Sequence, residues 1–405
     1  MKILVVHQNF PGQFKHLVPA LRAQGHEVDV FTMNTFAGGD GLRVHRYSAN
    51  KGTAADVHPW LAEFETKVIR GDAAYRMALS LEAQGYTPDL IVAHPGWGES
   101  LFLKQVWPKA KLLIYCEFFY AAEGTDVGFD PEFPVTAVGN DCRIRLKNIN
   151  SLMHFDLADA GVSPTEWQKS TFPEPFRSKI RVIHDGIDTD RVKPDPKAWL
   201  QLGDLRLTRD DEIITFVNRN LEPYRGYHLF MRALPEILAR RPNARVLIVG
   251  GDSVSYGAKA PAGKTWKQIY LDEVKDRIDL SRVHFLGNLE YQHFLVLLQI
   301  SRVHVYLTYP FVLSWSLLEA MSTGCAIVAS DTAPLREAIR EGDTGLLVDF
   351  FNPGQLAQRV TELLADQPLQ ERLGRNARAF AQAQFDLKTV CLPSMLSLIN
   401  EIGAR

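Results

Sequence analysis

The chain has 405 residues, and its 45 Lys and Arg against 47 Asp and Glu give a formal net charge of −2. Hydrophobic residues make up 46% and charged residues 23%, which suits sizeable folded cores and excludes a disordered or fibrous chain. The balanced charge lacks the basic character of nucleic-acid-binding proteins, so we expect no nucleic-acid partner. No stretch approaches the roughly 20 apolar residues that cross a bilayer, and the N-terminus does not resemble a signal peptide, so we expect a cytoplasmic protein.

The first half of the chain alternates between apolar strands and helical patterns. A strand over Lys2–His7, a helix with apolar residues at helical spacing and a strand over Glu27–Thr32 form one β-α-β unit. Further strands are predicted at 89–94, 111–115, 157–162 and 180–184. This alternation is typical of a doubly wound parallel sheet. The prolines of Lys193–Pro196 interrupt it, so we predict an N-terminal Rossmann-like domain over residues 1–195.

The second half repeats the same alternation. Strands at 212–217 and 245–250 flank a helix around 227–240, and shorter strands are predicted at 282–285, 303–307, 326–329 and 345–348. We predict a second Rossmann-like domain over 208–387, and a C-terminal helix over 388–405 that completes the first domain. The fold class is therefore α/β, with two doubly wound domains facing across a cleft. Ligands bind such sheets at the carboxyl ends of their strands.

A helix start with small polar residues lies in the second half. Ser314, Trp315 and Ser316 precede or open a helical pattern, where free backbone N–H groups suit an anionic phosphate. Glu319 lies about one turn further on, and its carboxylate can accept hydrogen bonds from paired hydroxyls such as those of a ribose. An ordinary buried helix with a polar tip also fits this segment.

Two arginines six residues apart follow a predicted strand. Arg219 and Arg225 lie in a segment shaped by Pro223 and Gly226. Each guanidinium keeps its charge and can donate two parallel hydrogen bonds, which suits a pyrophosphate. Solvated surface arginines are the alternative interpretation, and the position at the carboxyl end of a strand favours a functional one.

The order of these blocks resembles the retaining glycosyltransferases of family 4, also called group 1, which have the two-domain GT-B fold. The resemblance spans nearly the whole chain and rests on these segments: Ile3–Val6 with Gly12, Gly25–Val28, Val162–Pro164, Ile183–Asp188, Arg219–Gly226, and Leu318–Met321 with Val328–Ser330. It implies that Arg219 and Arg225 hold the donor pyrophosphate and that Glu319 contacts the donor ribose. The expected donor-binding set also includes Gly12, Phe311, Ser314, Trp315 and Ser316.

The chain departs from the family pattern at two places. The family carries two glutamates separated by seven residues, and the first of them falls on Phe311. Because that glutamate touches the transferred sugar, Phe311 leaves the sugar unidentified. Many members also have a His after an N-terminal strand, where this chain has Glu117. His94 ends another N-terminal strand, and it either meets an acceptor or a phosphate or has a structural role.

The resemblance implies transfer of a sugar from a nucleotide diphosphate sugar to an acceptor hydroxyl with retention, in glycan, glycolipid or glycoconjugate synthesis. The expected catalytic residues are Arg219, Arg225, Glu117 and His94, and the acceptor is a carbohydrate, a glycolipid or another hydroxyl compound. We expect no metal ion, and no cofactor besides the nucleotide diphosphate sugar as co-substrate. The alternatives are a non-catalytic nucleotide-sugar-binding protein and a nucleotide-sugar epimerase of the same fold.

A basic face is the remaining surface feature of the first half. Arg143, Arg145 and Lys147 recur on one predicted helix. Cationic helix faces bind anionic lipid headgroups, although many are simply solvated. Peripheral contact with the inner face of a membrane is therefore an additional expectation.

Overall fold

The structure is a computed structural model, and it describes residues 1–36, 39 and 41–404. The chain divides into two units, the first formed by residues 1–186 with the C-terminal segment from Lys388, and the second by 187–387. Each unit has apolar clusters of its own. The predicted helix 388–405 ends at Arg405, which lies outside the described residues. Both units contain a parallel sheet with helices, so the predicted α/β class is confirmed.

The first unit is built on a parallel sheet in the order β3-β2-β1-β4-β5-β6-β7. Its strands are β1 (Lys2–Val6), β2 (Glu27–Thr32), β3 (Arg43–Arg46), β4 (Leu90–Ala93), β5 (Lys111–Tyr115), β6 (Ala160–Ser163) and β7 (Ile180–Val182). Its helices up to β7 are α1 (Leu17–Ala23), α2 (Ala62–Ala83), α3 (Leu103–Val106), α4 (Asn140–Lys147), α5 (Ile149–Phe155), α6 (Glu166–Ser170) and α7 (Glu174–Arg177).

The central strands of this sheet are continuous apolar runs because both of their faces are covered. Residues Ile3–Val6 of β1 have no exposed surface, and β4 is buried along its whole length. Parallel strands that are buried on both faces have continuous apolar sequences, without alternation of apolar and polar residues. The strand order reverses direction between β1 and β4, which pair in register. At such a switch point the connections leave on opposite faces, and a crevice opens at the carboxyl ends of the strands.

The second unit contains a parallel sheet in the order β12-β11-β10-β13-β14-β15 and a separate antiparallel hairpin of β8 and β9. Its strands are β8 (Trp199–Leu202), β9 (Leu205–Thr208), β10 (Ile213–Asn220), β11 (Arg245–Gly251), β12 (Val283–Gly287), β13 (Val303–Tyr306), β14 (Ala326–Ser330) and β15 (Leu346–Val348). Its helices are α8 (Tyr227–Arg240), α9 (Trp266–Val274), α10 (Tyr291–Ile300), α11 (Trp315–Ser322), α12 (Pro353–Ala365) and α13 (Gln367–Phe385). The switch point lies between β10 and β13.

The last helix, α14 (Leu392–Gly403), belongs to the first unit. It follows a π-helical turn over Leu387–Cys391 and buries Met395, Leu398, Ile399 and Ile402 in the core that contains β1 and α1. These residues recur at helical spacing, so one face of the helix is apolar. Within the described residues, no helix is both long and apolar enough to span a membrane.

The boundary between the units lies at Gly186, not at residue 195 as the prolines of the sequence suggest. Ile187 exchanges backbone hydrogen bonds with Phe385 and Leu387, and the hydroxyl of Thr189 donates to Asp386. The Val192 carbonyl accepts a hydrogen bond from Arg378. These bonds attach residues 187–195 to the end of α13. The prolines therefore interrupt regular structure inside the second unit.

Candidate functional site

A pocket of about 390 Å³ opens at the switch point of the second unit. Strand β10 supplies one wall, the short 3-10 turn Pro223–Arg225 follows it, and the start of α11 supplies another part. Its polar lining includes Asn218, Arg219, Arg225, Tyr256, Ser314 and Ser316, and its apolar lining Val217, Val249, Leu289 and Phe294. The structure thus brings four of the predicted donor-binding residues to one pocket.

Arg225 is a buried cation at this pocket, with 6% of its surface exposed. Its Nη1 donates hydrogen bonds to the Tyr306 hydroxyl (3.1 Å), the Thr308 hydroxyl (2.7 Å) and the Val312 carbonyl (3.4 Å). No carboxylate among the described residues pairs with it. Burying a charge without a counter-ion is costly. The pocket is therefore prepared for an anion.

The turn that carries Arg225 lies unusually close to the end of β13. Gly226 has a φ of +69°, and a Cβ built on it would lie 2.4 Å from the Cβ of Leu307. Only a glycine fits such a backbone conformation and such a close approach without strain. This approach brings Arg225 within reach of the hydroxyl groups of Tyr306 and Thr308.

Arg219 lies near the end of β10 and is exposed, in contrast to Arg225. Among the residues that the structure describes, it has neither an ion-pair nor a hydrogen-bond partner. Its guanidinium is therefore free to meet a ligand at the mouth of the pocket. Together the two arginines give this pocket an excess of positive charge.

The start of α11 adds hydrogen-bond donors to the same pocket. Ser314 is the N-cap, its Oγ accepts a hydrogen bond from the backbone N–H of Ser316 (3.3 Å), and the two hydroxyls are 2.9 Å apart. The first N–H groups of a helix carry partial positive charge. Trp315, the first helical residue, is 43% exposed. This terminus fits an anionic oxygen beside Arg225.

Glu319 and Phe311 lie near this pocket but are not part of its lining. Glu319 is buried on α11 and accepts a hydrogen bond from the Tyr291 hydroxyl at 2.7 Å. Burial and the charge of Glu319 raise the pKa of Tyr291 above its ordinary value, which keeps its hydroxyl protonated. The buried Phe311 ring lies 5.9 Å from the guanidinium carbon of Arg225 and packs against Tyr256.

Glu222 is a site residue that the sequence pattern did not predict. It is fully buried, and its carboxylate accepts hydrogen bonds from three successive backbone N–H groups, those of Ser255 (3.0 Å), Tyr256 (3.3 Å) and Gly257 (2.9 Å). These bonds hold the Tyr256 ring 5.2 Å from the guanidinium carbon of Arg225. The position of Glu222 in the Arg219–Gly226 segment was the available signal.

The first unit has a pocket of its own, also of about 390 Å³, beside the carboxyl ends of β4 and β5. His94 follows β4 and Glu117 follows β5, and both line it. Their nearest atoms, His94 Nε2 and Glu117 Oε2, are 3.8 Å apart. The structure thus brings together the two predicted catalytic residues of the first half of the chain.

His94 is buried among aromatic rings. Its ring stacks on Tyr115 with centroids 5.2 Å apart and lies 5.4 Å from that of His7. Its Nδ1 accepts a hydrogen bond from the Gly96 N–H, so Nε2 is the atom left for the pocket. Burial, and secondarily the neighbouring His7, lower the pKa of His94 to about 3. The imidazole is therefore neutral near pH 7.

The remaining predicted site residue, Gly12, lies in the first unit, after β1. It begins a short 3-10 turn and packs against the His7 ring. A Cβ built on Gly12 would lie 2.4 Å from atoms of that ring. It lines neither of the pockets described above. Nowhere in the described parts of the chain do three or more His, Cys, Asp or Glu side chains come together as metal ligands would.

Two glycosyltransferase families match this chain. Residues 24–192 match the glycosyl transferase family 4 group, and residues 201–380 match the glycosyl transferases group 1. The two matches lie one on each unit and together span most of the chain. The chain belongs to the group 1 glycosyltransferases, and its two α/β units are those of the GT-B fold.

Individual relatives are distant. The chain is 24% identical over 371 residues to D-inositol 3-phosphate glycosyltransferase of Corynebacterium efficiens, covering 88% of this chain and 82% of that protein. It is 27% identical over 246 residues to spore coat protein SA of Bacillus subtilis, covering 55% of this chain and 58% of that protein. Sucrose-phosphate synthase from Thermosynechococcus elongatus shares the fold over the full length of both chains, with a TM-score of 0.73 and 20% identity.

Proposed function

We propose that this protein transfers a sugar from a nucleotide diphosphate sugar to an acceptor hydroxyl, with retention at the anomeric carbon. The second unit binds the donor and the first unit binds the acceptor. The observation that carries the proposal is the pocket that joins the buried Arg225, the unpaired Arg219 and the start of α11. All three groups attract negative charge, and a diphosphate supplies it.

In the proposed reaction, negative charge develops on the leaving diphosphate as the anomeric C–O bond breaks. Arg219, Arg225 and the N–H groups at Ser314–Ser316 stabilise that charge from fixed positions, which is efficient because little reorganisation is needed during the reaction. The acceptor oxygen forms the new bond on the same face, and its proton passes to the departing phosphate oxygen. The reaction as proposed uses neither a metal ion nor a further cofactor.

The remaining donor-binding and catalytic roles follow from the same assignment. Glu319 binds the ribose hydroxyls, and Trp315 and Phe311 contact the nucleotide sugar. Gly12, in the first unit, stays a predicted donor-binding residue. His94 and Glu117 orient the acceptor hydroxyl in the first unit. Burial lowers the pKa of His94 to about 3, so the imidazole stays neutral. Because its Nδ1 accepts the Gly96 N–H bond, its Nε2 carries the proton and can donate a hydrogen bond to the oxygen of that hydroxyl.

Names of relatives support the general acceptor class. One is called an inositol phosphate glycosyltransferase and another a sucrose-phosphate synthase, both of which act on small hydroxylated compounds by name. We propose a carbohydrate or a related hydroxyl compound as acceptor, within glycan or glycoconjugate synthesis. We also propose a cytoplasmic location, with membrane contact through the exposed Arg143 and Arg145. Lys147, the third residue of the predicted basic face, is instead largely enclosed beside Glu63 at the first-unit pocket.

A ligand screen followed by a turnover assay tests the proposal. The full chain is heated with a panel of nucleoside diphosphates and their sugars, and a ligand at 100 times its dissociation constant is expected to add about 2.7 kcal/mol to the stability. The best donor is then incubated alone, and slow release of the nucleoside diphosphate is expected. Glu319→Ala should reduce that release, while the exposed Glu362→Ala should not.

The products distinguish the alternatives. Release of nucleoside diphosphate that persists with a chelator supports metal-independent transfer, whereas full dependence on a metal ion would contradict that part of the proposal. Interconversion of nucleotide sugars would support an epimerase. Confirmed donor binding with no chemical change, with or without acceptors, would support a non-catalytic binding protein. The anomeric configuration of the product, measured by NMR, decides between retention and inversion.

A further inference from the structure

The first-unit pocket carries more positive charge than its own carboxylates neutralise. Its lining includes the cations Lys67, Arg70 and Lys147, and the carboxylates Glu63 and Glu117. Glu63, Lys67 and Arg70 recur at intervals of four and three residues, which places them on one face of α2. Lys147 ends α4 and reaches the same pocket.

Two of these cations share one carboxylate. Lys67 Nζ lies 3.2 Å from one oxygen of Glu63, and Lys147 Nζ lies 3.9 Å from the other. Both lysine side chains are largely enclosed, 11% and 24% exposed, whereas Glu63 is 44% exposed. Burial lowers the pKa of Lys147, the charge of Glu63 opposes this, and the positive charge of Lys67 adds to the lowering.

Arg70 adds a third charge to this group. Among the described residues it has no ion-pair partner within 4 Å. The positive charge of Arg70 acts on the carboxyl group of Glu99. Burial raises the pKa of Glu99 to about 7, so this carboxyl group is only about half ionised near neutral pH. An anion bound at Lys67, Arg70 and Lys147 would supply the missing negative charge.

The cationic face of α2 is packed against the turn that carries His94. A Cβ on Gly98, which has a φ of +102°, would lie 2.3 Å from the Lys67 carbonyl oxygen, so the turn Pro95–Gly98 touches α2 directly. On the side of this turn, the buried His94 Nε2 and Asn150 Oδ1 have no hydrogen-bond partner within the described chain. The His94 Nε2–H can donate a hydrogen bond to the oxygen of an acceptor hydroxyl, and Asn150 Oδ1 can accept one from such a hydroxyl.

We infer that the acceptor of this enzyme is a phosphate monoester of a polyhydroxy compound, with its phosphate at Lys67, Arg70 and Lys147 and its reacting hydroxyl near His94 and Glu117. This inference rests on the proposed function and adds the acceptor class to it. A dianionic phosphate offers several oxygens to three cations and neutralises them better than a neutral glycan. The phosphate belongs either to a free sugar or polyol phosphate or to a lipid headgroup.

The test compares matched acceptors that differ in one phosphate. With the donor found by the ligand screen, kcat/KM is measured for glucose against glucose 6-phosphate, inositol against inositol phosphate, and glycerol against glycerol phosphate. At least one phosphorylated member should exceed its neutral partner by about 100-fold, the effect of charged hydrogen bonds. Vesicles of phosphatidylcholine with and without phosphatidylinositol phosphate test the lipid headgroup as the source.

Variants locate the phosphate. Lys147→Met and Arg70→Gln should each lower kcat/KM for the preferred phosphorylated acceptor by about 10- to 100-fold and leave the neutral partner within about twofold. The control is Lys111→Met, because Lys111 pairs with Asp159 away from the pocket. Unchanged binding of the nucleoside diphosphate, measured by calorimetry, shows that the second unit of a variant is folded, and unchanged turnover of the neutral partner shows the same for the first unit.

The outcomes separate this inference from the proposed function. Donor binding and slow hydrolysis with equal kcat/KM for phosphorylated and neutral acceptors would overturn the inference alone. Variants that lose both kinds of acceptor equally would also overturn it, because the cations would then have a structural role. Absence of donor binding and of hydrolysis would instead contradict the proposed function.

Discussion

At the scale of single residues, the hydrogen bonds of Arg225 predict which replacements at this position keep the activity. Its hydrogen bonds to Tyr306, Thr308 and Val312 all come from Nη1. A lysine ammonium at that point has three donors and could make the same bonds, whereas methionine has none. We expect Arg225→Lys to keep kcat/KM within about 10-fold, and Arg225→Met to lose about 100-fold or more.

Steady-state kinetics with the best donor checks this prediction. Arg219 supplies the comparison because it is exposed and makes no bonds to fixed groups in the described chain. Replacement of Arg219 by Lys should lower kcat/KM less than its replacement by Met, because only Lys keeps the positive charge. Equal losses for Arg225→Lys and Arg225→Met would show that the planar guanidinium itself is required.

Glu222 leads to a second prediction at the residue scale. Its carboxylate accepts three backbone N–H bonds from 255–257, and glutamine would turn an amide NH₂ toward some of these donors. We expect Glu222→Gln to lower the free energy of unfolding by about 2 kcal/mol and to weaken nucleoside diphosphate binding by about 10-fold, since Tyr256 would no longer be held beside Arg225.

Chemical unfolding and calorimetry measure both effects. Glu236→Gln is the matched control, because Glu236 pairs with Arg240 on the surface of α8. A stable Glu222→Gln variant that binds the diphosphate normally would show that the segment 255–257 keeps its place without this carboxylate.

At the scale of elements, the turn between β4 and α3 contains a buried acid. Glu99 has no exposed surface, and burial raises its pKa from 4.5 to about 7. A raised pKa means that the folded state holds this proton more tightly than the unfolded chain. The folded state is therefore penalised as the pH rises from about 4.5 through 7, by on the order of 3 kcal/mol in total.

Replacement of Glu99 by glutamine should remove that penalty. We expect Glu99→Gln to be more stable than the parent protein by up to about 3 kcal/mol at pH 8, with the difference shrinking as the pH falls toward 4.5. Urea unfolding at a series of pH values measures it. A difference independent of pH would mean that Glu99 keeps its ordinary pKa in the folded protein.

Element boundaries also show what propensity alone predicts. The buried strands β1, β2, β4 and β5 were predicted to within a residue or two, because continuous apolar runs mark them. Strand β3, Arg43–Arg46, was missed since its sequence is mostly polar and charged; it lies at the edge of the sheet. The hairpin of β8 and β9 was also missed, because its short strands lie next to the prolines that suggested a linker.

At the scale of the whole molecule, buried histidines in both units predict sensitivity to acid. Burial lowers the pKa of His94 and His304 to about 3 and that of His154 and His184 to about 4. The unfolded chain binds these protons near pH 6.5, and the folded state does not. Stability is therefore fully present above about pH 6.5 and is lost as the pH falls from there toward 3 to 4.

The expected loss of folding stability in acid is large. At pH 4.5 each of these histidines favours the unfolded chain by about 2 to 3 kcal/mol, so the full protein should unfold in mild acid. Scanning calorimetry between pH 7.5 and 4.5 follows this. His304→Gln should reduce the dependence of the second unit on pH by about one proton. A melting temperature that stays constant over this range would contradict the low pKa values.

The sequence by itself determined the α/β class and the group of residues that carries donor chemistry. Apolar strands and spaced motifs such as Arg219 with Arg225 are local, and local patterns survive in a single sequence. The tertiary structure alone decided that Arg225 is buried while Arg219 is exposed, because burial depends on the distant residues Tyr306 and Thr308. It also decided that Lys147 joins Lys67 and Arg70. These residues lie on different helices, and no sequence spacing predicts that they meet.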